Sequence, residues 1–84
     1  MATFGISQIA HDKRPGAYAA IKSAARERGI PARDKYYEVM YVPEHGYPKS
    51  IAGHVFNTAT EARNYCRKYA KQRLGTSTVK FVSY

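Results

Sequence analysis

The sequence predicts a small α+β domain with the element order α-β-β-α-β, and three observations carry that expectation. A capped amphipathic segment over residues 59–74 reads as a helix, and an alternating aromatic and β-branched run over 36–42 reads as a strand. An alanine-rich stretch over 17–28 lies between clear start and stop signals and reads as another helix. Eighty-four residues and 9.5 kDa fit a single domain spanning 1–84, large enough for one thin core. No repeat, low-complexity tract or long Pro/Gly/Ser linker divides it.

In chain order, Gly5–Ala10 reads as one extra helical turn or as irregular chain, so residues 1–15 are expected to form an arm. The helix Ala17–Arg28 gathers Ala17, Ala19, Ala20, Ala24 and Ala25 around Ile21. It is entered through Pro15 and closed by Gly29, with Ile30 and Pro31 completing the stop. Tyr36–Val42 alternates Tyr37, Val39 and Tyr41 against Tyr36, Glu38 and Met40, as a half-buried strand does. Ser50–Phe56 and Thr78–Ser83 read as two further strands. Between them, Thr58 followed three residues later by Glu61 has capping-box spacing, and Gly75 supplies the terminating residue of a helix over Ala59–Leu74. Its apolar face is Ala62, Tyr65, Cys66, Tyr69 and Ala70. A helix that returns the chain lets the third strand point like the second. The expected sheet is therefore three-stranded and antiparallel, in the order 2-1-3 with Tyr36–Val42 central, and packed against the C-terminal helix.

Composition narrows the function class. Fourteen Lys and Arg against six Asp and Glu give a formal charge of +8, which points to an anionic partner. The single cysteine, Cys66, cannot close an internal disulfide, so a reducing, cytoplasmic setting is expected. The early residues lack a signal-peptide pattern and no apolar run reaches membrane-spanning length, so neither secretion nor a membrane role is predicted.

The charge is concentrated. Residues 62–84 hold six basic groups and no acidic one, whereas 36–61 hold one basic and three acidic groups. On the capped helix Arg63, Arg67 and Lys71 recur every four residues, flanked by Asn64, Lys68 and Gln72. That spacing makes a row of donors about 5–6 Å apart, suited to phosphates, with arginine as a bidentate donor and lysine as a point charge. The bland explanation is a solvated face that keeps the chain soluble. A second group, Arg26, Arg28 and Arg33 with Lys35, either extends the same footprint or merely complements the end of the first helix.

Eight tyrosines in a chain without tryptophan admit three roles: base stacking, a protein-interface patch, or plain core filling. Tyr47, between Gly46 and Pro48, is the least explicable as core. With Tyr36, Arg63 and Arg67 it forms the candidate protein-binding patch.

No metal or other cofactor is predicted, because His11, His45, His54 and Cys66 match no ligand spacing. No catalytic motif occurs either, so the chain is not expected to be an enzyme. Cys66 lies on the apolar face and is expected to be a buried, inert thiol. Phe56–Ala62, a strand end followed by Thr-x-x-Glu-Ala, resembles small sheet-plus-helix modules such as the three-stranded DNA-binding domains of phage-type integrases. That resemblance implies a sheet in the major groove, whereas the densest charge here lies on the helix.

The resulting expectation is a small non-enzymatic module that binds nucleic acid, DNA or RNA, through Arg63, Arg67, Lys68 and Lys71, with Arg26, Arg28 and Arg33 as an extension. The alternative is a regulator or inhibitor docking on an anionic protein surface, for instance that of a nucleic-acid-handling complex. An exposed strand edge or tyrosine patch would also admit a homodimer.

Overall fold

Strand β1 (Ala2–Ala10) runs through the middle of the molecule in the computed structural model, which describes residues 1–83. After it come helix α1 (Pro15–Glu27), strands β2 (Lys35–Val42) and β3 (Lys49–Ser50), helix α2 (Ala59–Tyr69) with a π-helical turn over Ala70–Leu74, and strand β4 (Val79–Ser83). The result is a small α+β domain with two helices and a mixed four-stranded sheet in the order β3-β2-β1-β4.

The expected arm is therefore corrected to an inner strand. Ala2, Phe4 and Ile6 alternate toward α2, while Thr3, Gly5 and Ser7 face the other way; residues 3–10 pair with β2 and residues 2–6 with β4. β1 pairs antiparallel with β2, setting Phe4 opposite Tyr41 and Ile6 opposite Val39, and pairs parallel with β4, setting Phe4 opposite Phe81. The all-antiparallel order 2-1-3 falls for the same reason. β1 occupies the side of β2 that the last strand was expected to take, so β4 moves out to the edge beside β1. The direction expected for the last strand holds, since β3 and β4 both run parallel to β1.

The strand expected over Ser50–Phe56 is also corrected. Only Lys49 and Ser50 pair with β2, after which the chain bows out and rejoins it at a single bridge between Phe56 and Tyr37. Within the bow Ile51 and Ala52 pack against the core, and Gly53 follows them exposed, with no side chain to hold the ladder.

Helix α2 follows its local grammar. Thr58 Oγ1 accepts from the Glu61 N–H at 3.2 Å, and Glu61 Oε2 accepts from the Asn57 N–H at 3.3 Å. Ala62, Cys66 and Ala70, all fully buried, recur every four residues and let the helix lie close to the sheet. Phe4, Val39 and Phe56 fill the core beneath it, and Tyr65, Tyr69 and Phe81 close its margins. At the far end Gly75, with φ of +66°, ends the π turn, and the Thr76 N–H donates to the Ala70 carbonyl at 3.1 Å.

Helix α1 packs against β1 yet buries none of its thirteen residues. Tyr18 donates to the Arg33 carbonyl at 2.7 Å and Tyr36 accepts from the Arg33 N–H at 3.0 Å, so two tyrosines hold the returning loop. The radius of gyration, 13.6 Å, exceeds the roughly 12 Å of a compact chain this long, in keeping with extents of 37 × 21 × 17 Å. Much of the chain is therefore surface. Among the described residues no helix is long and apolar enough to cross a membrane.

Candidate nucleic-acid interface

The two flanks of α2 carry different cationic surfaces. On the β4 flank Arg67 lies over the Phe81 ring, its guanidinium carbon 5.4 Å from the centroid, and donates to Asn64 Oδ1 at 3.2 Å. A stacked and hydrogen-bonded guanidinium is ordered in advance, which lowers the entropic cost of gripping an anion. Arg63, one turn earlier, lines a hollow with Gln8, Lys13 and Phe81. Lys71, one turn later, is exposed. Arg63 and Arg67 of α2 and Lys71 of the π turn follow one another at four-residue spacing. Tyr37 and Ala59 connect the hollow at Arg63 to another lined by Arg33 and Lys35, so Arg33 lies along the same flank of the molecule. Arg26 and Arg28 are exposed at the far end of α1, which the structure does not bring to α2.

The β3 flank is concave. Lys49 and Ser50 of β3, Ile51, and Tyr65, Lys68, Tyr69, Gln72 and Arg73 enclose a hollow of about 530 Å³. Three cations meet there and no carboxylate does. Tyr65 donates to the Ile51 carbonyl at 3.0 Å, tying the bowed loop to the helix and fixing the hollow's wall. Sequence reasoning missed Lys49 and Arg73 as site residues. Lys49 comes near only through sheet pairing. Arg73 follows Tyr65 and Tyr69 at four-residue spacing, the signal that would have placed it on the wall they form.

Asp34 shares the hollow of Arg33 and Lys35, whereas no carboxylate lines the hollow at Arg63 or the one between α2 and β3. Among the described residues the only ion pair is Arg14 with Glu38, at 3.9 Å, and Glu61 is engaged in the cap of α2. The N-terminus of α2 is satisfied by Thr58 and Glu61.

The tyrosine and arginine patch does not assemble. Tyr36 is 4% exposed and its hydroxyl holds the loop at Arg33. Tyr47, 91% exposed in the loop before β3, lies toward the opposite sheet edge from β4, where Arg67 rests. Tyr84 lies outside the described residues. Edge pairing into a homodimer is opposed by a two-residue β3 and by the exposed Lys80 of β4.

Cys66 is fully buried, and burial pushes its thiol up to about 11, against a smaller opposing pull from Arg67. Its sulfur stays protonated at neutral pH. His11 lies against Tyr18 and His54 against Phe56, and no group of three metal-ligating side chains converges among the described residues.

No protein-family model matches the chain, and neither does any curated protein or solved structure.

Proposed function

We propose that the protein is a non-enzymatic nucleic-acid-binding module that grips phosphates with the exposed side of α2. The single observation that carries this reading is the row Arg63, Arg67 and Lys71, ordered in part by Phe81 and Asn64 and neutralised by no neighbouring carboxylate among the described residues. Such a row raises the energy of the free protein by mutual repulsion and lowers it on meeting a phosphate backbone, where each contact also releases a condensed counterion. Asn64 and Gln72, beside the row, can donate to sugars or base edges.

The test is a titration against duplex DNA, single-stranded DNA and RNA at two salt concentrations. Binding that weakens steeply as salt rises is the expected result. A wild-type protein that binds none of the three at low salt would refute the reading. That outcome would favour the rival, a regulator docking on another protein, which rests on one specific observation: Tyr47 offers a whole aromatic ring to solvent.

A further inference from the structure

We propose that the hollow between α2 and β3 seats the backbone of a single nucleic-acid strand, with Lys49, Lys68 and Arg73 on its phosphates and Tyr47 stacking a base. The inference rests on the nucleic-acid reading and names the strand class it takes.

Three features converge on it. The first is the helix face. Tyr65, Lys68, Tyr69, Gln72 and Arg73 follow the i, i+3, i+4, i+7, i+8 spacing of one helical face and line the hollow together, so Lys68 and Arg73 share one wall and Lys49 of β3 stands on the other.

The second is shape. At about 530 Å³ the hollow is in the range of small-ligand sites and is walled on one side by the Ser50–Ile51 segment. A duplex meets a protein as a convex rod with both backbones outside, and it suits the row. A single backbone can lie inside the hollow. From there it passes onto the row without a break, because Lys68 is one turn from Lys71 on one side and from Asn64 on the other.

The third is Tyr47. It stands two residues before Lys49, between Gly46, whose φ of +108° only glycine adopts freely, and Pro48. The ring is 91% exposed and serves no packing role, in contrast to Tyr36, Tyr65 and Tyr69. An aromatic platform beside a cationic channel is how single strands are held without sequence preference.

The experiment measures polarisation of a labelled short oligothymidylate and of a blunt duplex of equal length across a salt series. The proteins are wild type, the triple variant Lys49→Gln/Lys68→Gln/Arg73→Gln, Tyr47→Ala and Tyr47→Phe. All four positions are exposed, so the fold is not at risk, and circular dichroism verifies this. The triple variant is expected to lower the single-strand salt slope by about 2, from three contacts at about 0.7 each, and to leave the duplex slope unchanged. Tyr47→Ala is expected to weaken single-strand binding roughly 5- to 150-fold, with Tyr47→Phe close to wild type. An unchanged single-strand slope in the triple variant, with nucleic acid still bound, would overturn this inference and leave the phosphate row standing. Absence of binding to any nucleic acid would overturn both. Equal competition by polyglutamate, lost in the same variant, would overturn the strand assignment in favour of an acidic protein segment.

Discussion

Phe4 decides whether the first ten residues are structure or arm. Its ring is fully buried on the α2 side of the sheet, with centroids 5.7 Å from Tyr41, 6.1 Å from Tyr69 and 6.4 Å from Phe81. Truncation in Phe4→Ala removes the ring from a site whose walls belong to β2, β4 and α2. These elements cannot collapse together without breaking the register of β1, so the cost should be about 3–5 kcal/mol. A domain of this length carries roughly 4–13 kcal/mol in total, so the variant would sit near the limit of folding. Phe4→Leu keeps most of the volume and loses the ring contacts, and should cost about 1–2 kcal/mol. Urea and thermal unfolding followed by circular dichroism give both values, and each kcal/mol should lower Tm by about 4–8 °C in a domain of this size. Stability of Phe4→Ala within about 0.5 kcal/mol of wild type would refute the reasoning, because an arm residue would give that result.

Three smaller perturbations test the remaining joints. Thr58→Ala removes the acceptor for the Glu61 N–H and should cost about 1 kcal/mol in urea, with Thr58→Ser close to wild type. Gly75→Ala has open space for its methyl group but must hold φ of +66°, and should cost about 1 kcal/mol from backbone strain alone. The Cys66 thiol, pushed up to about 11, favours the folded state fully below the ordinary thiol range near 8.5. That contribution, about 3 kcal/mol, is lost as pH rises toward 11. Urea midpoints of wild type should therefore fall across that window by more than those of Cys66→Ala, and equal falls would contradict the burial argument.

What was legible in the sequence was what is local. The capping box at Thr58 and Glu61 and the glycine stops at Gly29 and Gly75 are short-range patterns, and each is found where its spacing places it. β1 was hidden because Gly5 interrupts its alternation and Ile6 and Ile9 stand three apart, a helical interval. Its strand character comes from two partners distant in sequence, and with β1 unseen the order of the sheet could not be right. The same limit applies to the surface. The row Arg63, Arg67 and Lys71 could be counted off one helical segment, whereas the hollow joins Lys68 and Arg73 to Lys49 of another element, a juxtaposition that the β2–β3 pairing creates.

The central claim is that the row Arg63, Arg67 and Lys71 neutralises phosphates. The direct measurement is the slope of log affinity against log salt for duplex DNA, wild type against Arg63→Gln/Arg67→Gln/Lys71→Gln. Three phosphate contacts at about 0.9 each predict a slope smaller by about 2.7, with affinity reduced alike on unrelated sequences. A triple variant whose slope equals that of wild type would contradict the account.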